Sequence, residues 1–380
     1  MTEIKVQLHK NPLKNRSAVQ RTNSRTYILI TLLSFAFSVT ATRVFLNLTG
    51  FPQIGGGNLH IAHVLWGGLF LFAASLIPLI FVNQWALELS SFAAGIGVGL
   101  FIDEVGKFIT ANNDYFFPSA APIIYAFFLL TVLVFIQVKR QRKPSARSQM
   151  YSILEKFAEV LDRDLSQREY EDITTQLDEI IESSAEPQLI SLAQSLRAYL
   201  ADHKNQIVPD DPGLLERCVA AFERFRTRWL TRDRVRLILI IGLLLWAAWG
   251  LTSQTIMFIS THNPQAYKVM VEDFIENKLI VNETGMSWFA AQILLEGSMG
   301  AGALAAVLFF LFKKDTIATW IGLMDMIIML AVVNLITFYF DQFSTIAFAV
   351  YEFIMLVFLL FYKRNYLSTI NPQLNIYSKD

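Results

Sequence analysis

The sequence has few of the features that a soluble protein of its length requires. Only 17% of its 380 residues are charged, whereas 54% are apolar or aromatic. Soluble domains carry about 25% charged residues, so the composition excludes a water-soluble globular enzyme. The single cysteine, Cys218, excludes an intrachain disulfide and any paired-cysteine metal or redox motif. The 32 basic and 32 acidic residues cancel, which leaves no net positive charge to attract nucleic acid.

Long apolar runs are abundant, and each has about the 20 residues that a helix needs to cross a bilayer. Eight such runs cover residues 27–47, 61–82, 87–105, 119–138, 235–258, 287–312, 317–340 and 343–362. The first run could instead be a signal peptide, with Val39-Thr40-Ala41 as its cleavage site. It continues past Arg43 to Leu48, however, which favours a membrane span. We therefore predict an all-α, polytopic membrane protein with eight transmembrane helices.

Basic residues predict how the chain is oriented. They cluster at 139–143 and 228–236, with pairs at 313–314 and 363–364. Eight spans place all of these on one face, which the positive-inside rule makes cytoplasmic. Both termini are then cytoplasmic, and the protein is a multi-pass protein of the plasma membrane. The predicted units are a basic tail (1–26), a first four-helix membrane unit (27–138), a cytosolic helical domain (139–234), a second four-helix membrane unit (235–364) and a cytosolic tail (365–380).

The polar segment between the two membrane units has the pattern of amphipathic helices. Ser166 and Glu169 have the spacing of a capping box before an apolar face. Pro187 begins another helix, and Pro212 occupies the first turn of a last one. No phosphate-binding loop or catalytic motif occurs here. We interpret residues 145–232 as a packing module or as a docking site for a cytosolic protein partner.

The two membrane units resemble copies of each other. Asp103 ends the third span and Asp341 ends the seventh, and Tyr125 and Tyr351 begin the spans that follow. Four spans in each unit predict a parallel 4+4 repeat. The first copy has an additional outer loop, residues 106–117.

Two histidines and two acids form the densest group of ionisable residues. His60 and His63 share a helix face at the outer start of the second span, and Asp103 and Glu104 lie at the outer end of the third. These ligand types suit zinc, iron or manganese. The sequence thus predicts a metal site of His60, His63 and Asp103, with Glu104 as general base and Lys107 beside it. A structural ion-pair cluster that includes Lys107 is the alternative.

A second set of acids suggests transport. Ionisable groups at membrane depth are expensive and are functional candidates by default. The predicted substrate or ion path contains Asp114, Glu296, Asp325, Asp341 and Glu352. Three functions follow from the sequence: a membrane-embedded metal-dependent enzyme, a proton- or cation-coupled transporter or channel, and a non-catalytic scaffold or sensor.

Overall fold

A computed structural model describes residues 18–50, 62–115, 117–139, 145–162, 165–183, 186–202, 230–276, 279–280 and 285–367. Its regular elements are helical, and eight helices are long and apolar enough to cross a membrane. We number them as spans 1 to 8: Ser24–Thr49, His63–Ile80, Gln84–Ile102, Ala120–Lys139, Arg232–His262, Met286–Leu311, Asp315–Phe340 and Thr345–Tyr362. The number of spans agrees with the sequence prediction.

Small residues bring the first three spans into close contact. Spans 2 and 3 are antiparallel, because only residues 81–83 separate them. A Cβ atom on Gly97 would lie 2.9 Å from the carbonyl oxygen of Gly67 in span 2. On the other side of span 3, a Cβ atom on Gly95 would overlap Ser34 and Thr31 of span 1. Glycine therefore permits span 3 to pack between spans 1 and 2, as small residues do in membrane helices.

The second unit has the larger apolar core, and span 7 is irregular within it. Span 7 is α-helical over Asp315–Ile328 and Asn334–Phe340, with a π-helical turn at Met329–Val333 between them. π-Helical turns within α-helices are frequent at functional sites. In this unit the first span packs along the second, whereas in the first unit it packs along the third. The internal repeat stays a prediction.

The two units meet where span 4 crosses span 7. The Tyr125 hydroxyl donates a hydrogen bond of 2.6 Å to the carbonyl oxygen of Leu330, within the π-helical turn. The Tyr125 ring also stacks on Phe338, with 4.5 Å between ring centroids. These contacts join the units in the half of the membrane that contains Phe340, the end of span 7.

The segment between spans 4 and 5 contains three described helices, Ala146–Asp162, Gln167–Ser183 and Pro187–Asp202, which we call the insert. They share a small apolar core. The predicted capping box is present: the Ser166 N–H donates to Glu169 Oε2 (2.9 Å), and the Glu169 N–H donates to Ser166 Oγ (3.3 Å). The helix predicted after Pro212 lies outside the described residues. We call the membrane face next to the insert the insert side, and the other the far side.

Candidate functional site

A buried ion pair links spans 1 and 3 at the far side. Arg43 Nε donates to Asp103 Oδ1 (2.6 Å), and Arg43 also donates to the Asp103 carbonyl oxygen (3.0 Å). Both residues are buried, with exposed fractions of 4% for Arg43 and 0% for Asp103. The guanidinium also lies over the rings of Tyr115 (4.3 Å) and Phe343 (3.7 Å). Arg43 thus neutralises an acid that water does not reach.

His63 lies between the two acids that the sequence places beside it. Its Nε2 is 3.0 Å from Asp103 Oδ2, and its Nδ1 is 3.1 Å from Glu104 Oε1. The two ring nitrogens of His63 thus bridge the Asp103 and Glu104 carboxylates. His63 itself is partly exposed (21% of its side chain), so water from the far side reaches the imidazole.

Lys107 and Tyr115 complete this group, which we call the far-side cluster: Arg43, His63, Asp103, Glu104, Lys107 and Tyr115. Lys107 follows Glu104 by one turn of the short helix Val105–Ile109, and its Nζ is 3.2 Å from Glu104 Oε1. The Tyr115 hydroxyl donates to Asp103 Oδ2 (2.7 Å). The cluster therefore balances two acids against Arg43 and Lys107, with His63 between them.

The electrostatics of the cluster keep Asp103 ionised. Burial alone would raise the pKa of Asp103, but the hydrogen bonds from His63, Arg43 and Tyr115, together with the charge of Arg43, hold that pKa below its usual value. Burial and the neighbouring Asp103 charge raise the pKa of the Tyr115 hydroxyl, so it stays protonated and donates. Asp103 is therefore an anion that accepts from three side chains.

The predicted metal ligands are brought together only in part. His63, Asp103 and Glu104 converge, whereas His60 lies outside the described residues. Across the described ranges, no group of three or more His, Cys, Asp or Glu side chains is arranged to hold a metal ion. Both carboxylate oxygens of Asp103 already accept hydrogen bonds, and the Arg43 guanidinium disfavours a second cation beside them. The geometry fits a hydrogen-bonded ion cluster better than a metal centre.

The predicted ion-path residues separate into different surroundings. Asp114 lies in the loop before span 4, where its backbone N–H donates to Thr110 Oγ1 (2.7 Å). Asp341 follows span 7 at the far side and accepts a hydrogen bond of 3.3 Å from Gln292. The three other acids, Glu296, Asp325 and Glu352, are buried inside the second unit.

Glu296 belongs to a polar network that reaches the far side. Its Oε1 accepts from Gln292 Nε2 (2.9 Å) and from Thr337 Oγ1 (3.1 Å). The Gln292 amide also donates to Asp341. The network therefore joins Asp341, which is exposed, to Glu296, which is only 8% exposed. Neutral donors from spans 6 and 7 thus lead from the far side towards the membrane interior.

Glu352 and Asp325 lie deeper. Asn334 Nδ2 donates to Glu352 Oε2 (2.6 Å), while Glu352 Oε1 has no hydrogen-bond partner. Asp325 Oδ1 lies beside Gly302, at 2.7 Å from the position of a Cβ atom there, and its Oδ2 also has no partner. At 1.5 Å per residue, Asp325 is about 15 Å along span 7 from Asp315. It therefore lies near the middle of a hydrocarbon layer of about 30 Å.

An apolar layer closes the second unit below Asp325. Phe310, Ala318 and Leu359 are fully buried within the unit's core. At the insert side below them, Asp315 is paired with Arg232 (2.9 Å) and Arg236 (3.3 Å). Buried acids thus lie between the far side and mid-membrane, and this apolar layer separates Asp325 from Asp315.

Sequence reasoning missed several of these residues. The sequence gives no reason to pair Arg43 with Asp103, and it marks Tyr115 only as part of the additional outer loop, residues 106–117. Gln292 and Thr337 were not predicted as site residues, because single neutral polar residues are common in membrane helices. A charged residue inside a span is the one signal that could have identified Arg43.

Comparisons with known proteins add no functional assignment. No protein-family model, no curated protein and no solved structure matches this chain.

Proposed function

We propose that this chain is a proton-translocating membrane transporter whose second unit carries protons on Glu296, Glu352 and Asp325. The supporting observation is that these three acids are buried at membrane depth without a basic partner among the described residues. Their hydrogen-bond donors are neutral, namely an amide for Glu352 and an amide and a hydroxyl for Glu296.

A comparison within the chain shows why the missing charge partners matter. Asp103, Glu104 and Asp315 are equally buried, and each faces an arginine or a lysine. An isolated carboxylate in a low-dielectric medium is so costly that the neutral, protonated form replaces it. Glu352 and Asp325 therefore fit proton carriers, whereas Asp103 fits a permanent anion.

The arrangement of the acids supports a path rather than three separate sites. Span 7 links two of the acids, because its Asn334 donates to Glu352 and its Thr337, one turn further on, donates to Glu296. Asn334, the donor to Glu352, directly follows the π-helical turn. Asp325 lies four residues before the first residue of that turn. A change at this turn would move both groups together. The apolar layer below Asp325 would act as the closed side of a gate, as alternating access requires.

Infrared spectroscopy tests the proton carriers directly. We expect the purified full-length protein to show a neutral-carboxyl absorption at neutral pH that E352Q and D325N each reduce. E272Q is the matched control, because Glu272 is an exposed acid of the same unit, on the helix Pro264–Glu276. Neutral-carboxyl bands that are unchanged in both variants would refute the proposal.

Flux measurements test translocation. In liposomes that contain a pH-sensitive dye, the wild-type protein and E272Q should carry protons along an imposed pH gradient, and E352Q should not. Equal flux through wild-type protein and E352Q would contradict the assigned path. Sodium-dependent rather than pH-dependent flux would assign the acids to a metal cation instead.

A metal-dependent enzyme at the far side is the second candidate, favoured by the convergence of His63, Asp103 and Glu104. It requires a further ligand such as His60. Zinc, iron or manganese bound stoichiometrically to purified protein and lost in H63A would support the enzyme. Purified protein that is active without any of these bound metals would exclude it.

The orientation of the chain in the membrane is also a proposal. We infer from the basic residues that the insert and both termini are cytoplasmic and that the insert can dock a protein partner. The far-side cluster and the mouth of the proton path then face the exterior.

A further inference from the structure

A cavity of about 730 Å³ lies at the insert side of the first unit. Its walls come from three parts of the chain: the segment before span 1, the turn between spans 2 and 3, and the first insert helix, Ala146–Asp162. Side-chain hydrogen bonds hold these parts together. Thr22 Oγ1 donates to Ser152 Oγ (2.9 Å), and Asn23 Nδ2 donates to Oε1 of Gln84, which follows the turn (3.3 Å). The cavity is therefore built from elements fixed to one another.

One wall of the cavity is apolar and faces the bilayer. Pro78, Phe81 and Val82, at the end of span 2, line it, and Val82 has an exposed fraction of 94%. Because this wall continues the lipid-facing surface of span 2, an acyl chain can extend along it. A water-soluble ligand would gain nothing from this continuity.

The opposite wall carries charge. Arg21 and Arg147 both line the cavity, together with a single acid, Glu155. Arg21 is half exposed and lies 3.1 Å from Glu155 Oε1, and the Arg147 guanidinium lies 5.5 Å from the Tyr151 ring centroid. Among the residues that line the cavity, two are arginines and one is an acid, so the lining itself carries a net positive charge at the level where the spans end.

We propose that this cavity binds the headgroup of an anionic phospholipid, with the phosphate at Arg21 and Arg147 and an acyl chain along Pro78 and Val82. Guanidinium groups bind phosphate oxygens through paired, charge-assisted hydrogen bonds. Basic pockets between membrane helices on the cytoplasmic side are typical sites for anionic headgroups. The occupant would join the insert to the membrane, because its contacts come from both.

Lipid titration monitored by native mass spectrometry tests the proposal. Delipidated full-length protein is titrated with dioleoylphosphatidylglycerol or with dioleoylphosphatidylcholine, which has the same acyl chains. Each basic residue near an anionic lipid surface contributes about fivefold to binding, so we expect phosphatidylglycerol to bind at least about fivefold more tightly. Equal affinities would overturn the proposal.

Substitutions locate the effect. R21A/R147A should abolish the preference for phosphatidylglycerol, whereas R168A, which removes an exposed arginine from the insert helix Gln167–Ser183, should retain it. A preference that survives R21A/R147A would overturn the assignment.

Loss of lipid binding in R21A/R147A could also result from misfolding, so a third variant is chosen that should bind phosphatidylglycerol more tightly. E155Q removes the carboxylate that competes for Arg21 and should increase phosphatidylglycerol binding. Unchanged or weaker binding in E155Q would count against the site. Inorganic phosphate distinguishes the two sources of the ligand chemistry: displacement of the lipid by phosphate at equal concentration would assign the cavity to a free phosphate and overturn the lipid proposal.

Discussion

Removing the guanidinium of Arg43 should destabilise the first membrane unit more than any other single charge deletion there. Arg43→Met keeps most of the side-chain volume but leaves Asp103, which is fully buried, without its charge partner. Breaking a buried ion pair by removing one partner costs about 3–5 kcal/mol. Loss of the cation–π contacts with Tyr115 and Phe343 adds about 0.5–2 kcal/mol. Hydrogen bonds from His63 and Tyr115 to Asp103 remain, so we expect a total loss of about 4 kcal/mol.

The free energy of unfolding can be measured by titrating the protein in mixed micelles with sodium dodecyl sulfate. Arg25→Met is the matched control, since Arg25 is an exposed arginine of the same span, and its loss should cost less than about 1 kcal/mol. The double variant R43M/D103N removes both charges and should be more stable than the sum of the two single losses predicts, with a coupling energy of about 2 kcal/mol or more. Strictly additive losses, or an R43M loss as small as that of R25M, would refute the ion-pair reasoning.

Two further predictions concern packing and pH. Gly95→Leu should separate spans 1 and 3 and destabilise the fold, because even a Cβ atom there overlaps Ser34. Gly68→Leu is the control and should be tolerated, because no atom lies within 4 Å of a Cβ atom at that position. Thermal unfolding compares the two variants, and equal melting temperatures would contradict the close packing. Because the folded-state pKa of Asp103 is lowered, its stabilising contribution is complete above its unfolded pKa of about 3.9 and is lost as the pH falls through the lower folded value. The unfolding free energy of the wild-type protein, compared with that of D103N, should therefore decrease only below about pH 4, and a difference that is constant with pH would contradict this.

The architecture was predictable because hydropathy acts over whole segments. Each span needs only an apolar run of sufficient length, and the turn before span 3 follows from Asn83 and Gln84, the polar pair between two apolar runs. The capping box at Ser166 was equally predictable, because its two residues are three positions apart and interact within one helical turn.

The candidate sites were predictable only where their residues are neighbours along the chain. Asp103, Glu104 and Lys107 are adjacent in sequence, and His63 could be placed beside them by topology. Arg43 is 60 residues from Asp103, and only the close packing of span 1 on span 3 brings them together. The π-helical turn in span 7 has no local sequence signal, and its Leu330 carbonyl bonds with Tyr125, 205 residues away.

The stacking of Arg43 on Phe343 also has a mechanical consequence. Phe343 belongs to the turn between spans 7 and 8, so the guanidinium joins the two units at the same end as Tyr125 and Phe338. A rotation about this end preserves all three contacts, whereas a rotation about the insert end breaks them. Since a span of 26 residues is about 39 Å long, tilting one unit by a few degrees here displaces its other end by several ångströms. The hinge between the two units would then lie at the far side, and the largest displacement would occur at the insert side, next to the insert.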